Sequence, residues 1–156
     1  MPDPSPAMQH LDRMGLPYRV FVHTQPPVSL EDAARQRGQE SRQVIRSILF
    51  RHEQQVFVMV LMAGPGQIAW KRVRDHLGVT RLSMATEAEV LAVTGCVLGT
   101  VTPLGLPQPI RLLADVSVFQ PEEISIGSGL RGAALILKSA DLQRALGRLE
   151  IGIFAA

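Results

Sequence analysis

A single α/β domain with a mixed, strongly curved, barrel-like sheet surrounded by helices is the fold this sequence predicts. Three observations carry that prediction. The chain has 156 residues, the size of one domain that buries roughly two-thirds of its unfolded surface around one core. Short apolar runs of strand character alternate with segments that carry helix start and stop signals. Glycine-rich turns separate them, without internal repeats, low-complexity tracts or an interdomain linker.

The elements are taken in chain order. Residues 1–6, Met-Pro-Asp-Pro-Ser-Pro, lack the basic-then-apolar layout of a signal peptide and read as a disordered lead-in to a domain covering 7–156. A short helix is expected from Ala7 to Met14 with Gly15 closing it, then a strand from Tyr18 to Val22. Ser29 precedes Glu31 and Asp32, an N-cap with acids in the first turn, for a helix from Leu30 to about Arg37 that Gly38 stops. The runs Val44–Phe50 and Gln55–Leu61 flank the polar His52-Glu-Gln-Gln55 and read as a hairpin. Trp70, Val73 and Leu77 recur at helical spacing among charged residues, so 69–77 is expected to be an amphipathic surface helix. Leu82–Met84 reads as a short strand, and Thr86 with Glu89 forms a capping box for a helix ending at Gly95. Ile110–Leu113, Glu123–Ile126 and Ala133–Leu137 are three further strands, and Ser139 is expected to cap a last helix to about Leu146.

Composition narrows the function classes. Hydrophobic residues make up 46% and charged residues 19%, a globular balance with no apolar stretch of membrane-spanning length, so a soluble, cytoplasmic protein is expected. The single cysteine, Cys96, excludes an internal disulfide and a cysteine-rich metal site and reads as a small buried residue. His10, His23, His52 and His76 show no ligand spacing, so neither a metal nor a cofactor is expected. A net charge of +2 advertises no dedicated nucleic-acid surface. Its distribution says more: nearly every basic residue is arginine, with concentrations over 35–51 and 72–81 that fit either solvated helix faces or a phosphate-contacting rim.

Two glycine turns are the most pointed feature. Gly95-Cys-Val-Leu-Gly99-Thr-Val-Thr-Pro103-Leu-Gly105 and Ile126-Gly127-Ser-Gly129-Leu-Arg131-Gly132 are each flanked by regular apolar sequence. Such turns expose backbone N–H groups that can cradle an oxyanion or a phosphate, although tight connections in a β-rich domain need glycine as well. No Gly-x-Ser-x-Gly elbow and no Ser/His/Asp order accompanies them.

Read in order, Val44-Ile-Arg46-Ser47-Ile-Leu49, Thr94-Gly95-x-x-x-Gly99-x-Val101-x-Pro103-Leu-Gly105 and Gly127-Ser128-Gly129-x-Arg-Gly132, together with the strand end Val22-His23-Thr24, resemble the family of YbaK-like aminoacyl-tRNA deacylases. The editing domain inserted in bacterial prolyl-tRNA synthetases belongs to the same family. The resemblance runs from about Met8 to Leu146 and implies a free-standing trans-editing hydrolase. Such an enzyme removes a wrongly attached small amino acid from the 3′ acceptor end of a tRNA. It implies aminoacyl-tRNA as partner, with an aminoacyl-tRNA synthetase as a further one, and no membrane. By the same resemblance Arg46, Gly99, Gly127 and Gly129 are the expected catalytic positions. His23, Ser47, Thr100, Val101, Pro103, Ser128 and Ala134 are the expected substrate-binding ones.

Two positions depart from the family pattern. Arg46 stands where relatives carry lysine; arginine keeps the charge but cannot serve as a base. Ala134 stands where relatives place histidine or aspartate, which depolarises that side of the pocket. A binding module that keeps the aminoacyl-adenosine pocket without turnover is the alternative these departures motivate. A scaffold domain attached to a synthetase is a third reading, and it needs an exposed apolar patch.

Overall fold

The computed structural model describes residues 3–156. Of the lead-in expected over 1–6, Met1 and Pro2 lie outside the described residues. Ser5 is buried, and its hydroxyl accepts the Met8 N–H at 3.3 Å, opening α1 (Pro6–Arg13) with proline at the first helical turn, where a missing N–H costs nothing. Then come β1 (Arg19–Val22), α2 (Leu30–Gln36), β2 (Ile45–His52), β3 (Val56–Ala63), α3 (Trp70–Leu77), β4 (Ser83–Met84), α4 (Glu87–Thr94), β5 (Arg111–Asp115), β6 (Glu123–Gly127), β7 (Ala133–Lys138), α5 (Ser139–Leu146) and β8 (Glu150–Gly152).

The expected barrel-like sheet is not present. The strands form two open sheets, a three-stranded one in the order β1-β7-β6 and a five-stranded one in the order β4-β2-β3-β5-β8. Among the described residues only a single bridge, Val44 to Ser125, joins them. The reason lies in the side chains. Ile124 and Ile126 of β6 and Leu135 and Leu137 of β7 share one buried cluster with Ile45, Leu49, Met59 and Leu61 of the larger sheet. The sheets are thus held together through a common core, and pairing their edges is not required. Mixed pairing is observed: β2 and β3 form an antiparallel hairpin, while β3 with β5 and β5 with β8 are parallel.

β3 is the centre of the molecule, and its sequence says so. Met59 and Leu61 point into the intersheet core, whereas Val58, Val60 and Met62 enter a second cluster with Phe50, Val73, Leu113 and Phe154. A strand covered on both faces reads as an unbroken apolar run, not an alternating one. α3 covers the second face by turning Val73 inward.

Local signals explain most boundaries. The reciprocal Thr86 and Glu89 capping bonds, 3.2 and 2.8 Å, start α4, and Gly95 ends it in the left-handed conformation. Ser29 accepts the Asp32 N–H at 3.0 Å to start α2. Ser139 does not cap α5 as expected; it is the helix's first residue, and its hydroxyl donates to the Pro121 carbonyl at 2.6 Å, tying α5 to the turn before β6. β8 has no counterpart in the sequence-based expectations. The C-terminal tail holds it in place: the buried Asp115 carboxylate accepts the Phe154 and Ala155 N–H groups at 2.7 and 3.0 Å, locking that tail over the second core.

These contacts generate two predictions. A Cβ built on Gly127 would lie 2.3 Å from the Val101 carbonyl oxygen, whereas one on Gly66 would meet nothing within 4 Å. Gly127→Ala is therefore expected to destabilise by roughly 1–3 kcal/mol or more, and Gly66→Ala by less than about 0.5 kcal/mol, in urea unfolding. The second concerns acid. Burial raises the Asp115 pKa, but hydrogen bonds from Ser117, Phe154 and Ala155 outweigh it and leave the group below its ordinary 3.8. The Arg111 guanidinium, opposed by desolvation and helped by His76, holds Glu150 at about 2 against an ordinary 4.5. Both groups bind protons more weakly when folded, so their stabilisation is complete above about pH 5 and lost as pH falls toward 2. Asp115→Ala is expected to flatten that acid limb and lower the urea midpoint; an unchanged midpoint contradicts the role assigned to the tail lock.

Candidate functional site

The site is a cleft at the seam between the two sheets, built by β1, the end of α2, the start of β2, the 95–105 loop and the β6–β7 hairpin. It has two chambers. The outer, of about 660 Å³, is lined by His23, Thr24, Pro26, Pro27, Arg37, Thr100, Arg131 and Gly132 among others. The inner, of about 280 Å³, is lined by Val44, Ile45, Arg46, Ser47, Val101, Ile126, Gly127 and Ala134. Arg37, Leu98, Gly99 and Ala133 line both, so they form the passage between them. A separate depression near the β2–β3 turn, lined by Arg51, Arg81 and Glu89, lies away from every expected site residue, and its Arg51 is already paired with Glu89 at 2.7 Å.

The passage owes its shape to the 95–105 loop. The Thr100 N–H donates to the Val97 carbonyl at 3.1 Å, closing a β-turn in which Gly99 takes φ +88°. That geometry needs glycine at the third turn position. Among the described residues the Gly99 N–H has no acceptor. The loop then crosses the end of β6, where Gly127 alone permits the approach of the Val101 carbonyl.

The expected site residues fall into two groups. His23, Arg46, Ser47, Gly99, Thr100, Val101, Gly127 and Ala134 all line the cleft. Pro103, Ser128 and Gly129 line neither chamber. Gly129 donates its N–H to the Thr100 carbonyl at 3.0 Å, so that donor is committed to holding the two glycine turns together. The Ser128 hydroxyl donates to the Ala133 carbonyl at 2.7 Å and accepts the Leu130 N–H at 3.1 Å, which fixes the hairpin loop.

Arg46 reaches away from the passage. Its Nε donates to the Gly64 carbonyl at 2.8 Å and its Nη2 to the Gly66 carbonyl, the turn that follows β3. Burial lowers its pKa below the ordinary arginine value without discharging it. The neighbouring Ser47 lines the inner chamber, but its hydroxyl oxygen is buried and has no partner among the described residues.

Arg37 is the residue the sequence did not single out. It is the C-cap of α2, a place where a cation normally sits in solvent against the last helix carbonyls. Here its Nη1 donates to Ser125 on β6 at 2.9 Å, and its Nε donates to His23 Nε2 at 3.1 Å. Because Nε can only donate, His23 Nε2 accepts, and the ring proton is on Nδ1, which donates to Gln36 at 2.7 Å. Gln36 in turn donates to the buried Asp32 at 3.1 Å. The guanidinium is thus oriented from two sides, partly desolvated so that its pKa is lowered, and within 4 Å of no carboxylate among the described residues. The only sequence signal was its position at a helix end; the partner that matters is 88 residues away.

The electrostatic character of the cleft results from these placements. Arg37, Arg46 and Arg131 line it, and no aspartate or glutamate does. Three positive charges with no local counterion, walled by backbone, suit an anionic or strongly electron-rich ligand.

Comparison with known proteins agrees with this geometry. Residues 24–145 match the family model for the aminoacyl-tRNA editing domain. The multifunctional Ser/Thr-tRNA deacylase ProXp-y of Escherichia coli K12 is 34% identical over 88 residues, 56% of this chain and 53% of that protein. The chain thus spans about half the length of that relative. The proline–tRNA ligase of Desulforamulus reducens is 30% identical over 131 residues, 84% of this chain but 22% of the ligase. A solved structure described as a candidate trans-editing enzyme for prolyl tRNA synthetase superposes with a TM-score of 0.86 at 21% identity, covering 99% of each chain. That likeness establishes a shared fold. The matched span contains both glycine turns and all three cleft arginines, and the chain belongs to the aminoacyl-tRNA editing domain family.

Proposed function

We propose that this protein is a free-standing deacylase that hydrolyses the ester between a wrongly attached small amino acid and the 3′ end of a tRNA. The observation that carries the reading is the two-chambered cleft, lined by three arginines and no acid, within a domain of the editing family. The inner chamber, about 280 Å³, lies just below the range of ligand pockets, which begins at about 300 Å³, and so fits a small side chain. Ala134 forms part of its wall, and its small side chain leaves room for a short group such as that of serine or threonine. The outer chamber, about 660 Å³, takes the terminal adenosine, with Arg131 beside its phosphate.

Ester hydrolysis in such a cleft relies on placement and electrostatics. No carboxylate lines it, and both His23 ring nitrogens are engaged, so a side chain ready to deprotonate water is not in view among the described residues. What the cleft offers is an ordered passage that holds the ester and donors for the carbonyl oxygen as it gains charge. Arg46 contributes a fixed positive wall on the inner chamber, braced by the Gly64 and Gly66 carbonyls, and retains Nη1 for substrate. A pocket that binds aminoacyl-adenosine without turnover is the second reading, and the missing base is the observation that favours it. Its place is the cytoplasm, beside the translation apparatus, and a synthetase that delivers the mischarged tRNA is its natural partner.

The test is deacylation of alanyl-, seryl-, threonyl- and cysteinyl-tRNA, each on matched and mismatched tRNA bodies. Hydrolysis of one or two species is expected, with Arg46→Ala lowering kcat/KM mainly through KM, as loss of a positive wall on the inner chamber does, and Arg46→Lys retaining most of it. Tight binding of a non-hydrolysable aminoacyl-adenosine with no turnover of any species establishes the second reading instead.

A further inference from the structure

We infer that Arg37, not Arg46, is the side chain that stabilises the oxyanion of the reaction, acting with the Gly99 N–H in the passage between the two chambers. The inference rests on the deacylase reading and assigns the position of the reacting ester within it. If the amino acid occupies the inner chamber and the adenosine the outer, the ester that joins them must lie in the passage, and the residues lining both chambers are those that touch it. Four do: Arg37, Leu98, Gly99 and Ala133. Leu98 and Ala133 bring apolar side chains, which leaves the Arg37 guanidinium as the one charged donor, beside the unbonded N–H groups of the Leu98–Gly99 turn, of which Gly99 carries no side chain to shield its own.

Arg37 is built for that task where Arg46 is not. Nε and Nη1 are spent on His23 and Ser125, both fixed parts of the protein, so the planar guanidinium is held in one orientation with Nη2 uncommitted. The His23 tautomer is set by Gln36 and Gln36 by Asp32, so the chain of bonds ends on a buried carboxylate that never touches the cation. Arg46 has lost Nε and Nη2 to the Gly64 and Gly66 carbonyls and lines the inner chamber only. Donors that are oriented before charge develops, in a partly dry site, favour the transition state over the neutral ester.

The step balances without another reactant. The water oxygen bonds to the ester carbonyl carbon, and the carbonyl electron pair moves onto its oxygen, where Arg37 Nη2 and the Gly99 N–H meet it. The pair then returns, the bond to the ribose oxygen breaks, and that oxygen takes the proton the water gives up. The products are the free amino acid and an uncharged tRNA end.

The experiment compares the full chain with its Arg37→Ala and Arg37→Lys forms on two substrates: the aminoacyl-tRNA it hydrolyses and the corresponding 2′(3′)-O-aminoacyl-adenosine, which has no phosphate. Thermal unfolding monitors the fold. The expected result is a fall in kcat of about 10² for Arg37→Ala, equal on both substrates, with KM moving less than about threefold. Millimolar guanidinium is expected to restore part of the Arg37→Ala rate. Arg37→Lys, which keeps the charge and loses the fork, is expected to lose kcat with KM unchanged, and it carries the test if the alanine form unfolds. A loss confined to the tRNA substrate makes Arg37 a phosphate contact and overturns the inference, as does a loss in KM alone or no loss. An inactive native protein on both substrates removes the deacylase reading and this inference together. An active native protein with an unaffected Arg37→Ala removes the inference alone.

Discussion

The approach of the Val101 carbonyl to the Gly127 Cα is the contact on which the rest of the cleft depends. It seats the 95–105 loop across the end of β6, so that one glycine turn lies against the other. The Gly129 N–H to Thr100 carbonyl bond then fastens the two turns a second time. With the loop so placed, Leu98 and Gly99 line both chambers. A side chain at position 127 would clash with the Val101 carbonyl and displace the loop. The site is thus a consequence of backbone packing, and its donors are rigid because backbone that is clamped on two sides has nowhere to relax.

Charge is arranged with the same economy. The chain carries 16 basic and 14 acidic residues, and several of the cations are paired outside the cleft: Arg51 with Glu89, Arg111 with Glu150, Arg35 with Asp32. Pairs with a solvent-accessible guanidinium contribute little to stability. Their effect here is one of subtraction. With acids drawn to partners elsewhere, the cleft keeps Arg37, Arg46 and Arg131 without local neutralisation, and a chain of nearly balanced charge acquires one strongly positive groove. The local imbalance is what the net charge does not record.

Much of this is legible in the amino-acid sequence. Capping residues Ser29 and Thr86 announce α2 and α4 because their side chains satisfy donors within three residues, an interaction that sequence contains in full. The unbroken run of β3 announces a strand buried on both faces. β8 is invisible for the opposite reason: three residues with no pattern of their own, paired in parallel with the distant β5 and followed by a tail fixed by a carboxylate 39 residues earlier in the chain than the Phe154 N–H it accepts. Closure of the sheet is not legible, since curvature depends on whether β2 and β6 meet edge to edge, and only Val44 and Ser125 do. Family resemblance locates the cleft and eight of its lining residues. It passes over Arg37, since a cation at a helix end has a sufficient local explanation, and the bond that draws it inward comes from β6.

The measurement that bears most directly on the account is an NMR titration of the native protein with a non-hydrolysable, amide-linked aminoacyl-adenosine, following the backbone amide of Gly99 and the Nε resonances of the arginines. The account predicts that the Gly99 amide and Arg37 Nε shift together and saturate with one Kd, with smaller shifts at Arg46 Nε. Shifts that gather instead around Arg51 and Arg81, or that leave Gly99 and Arg37 unmoved while the ligand binds, would contradict it.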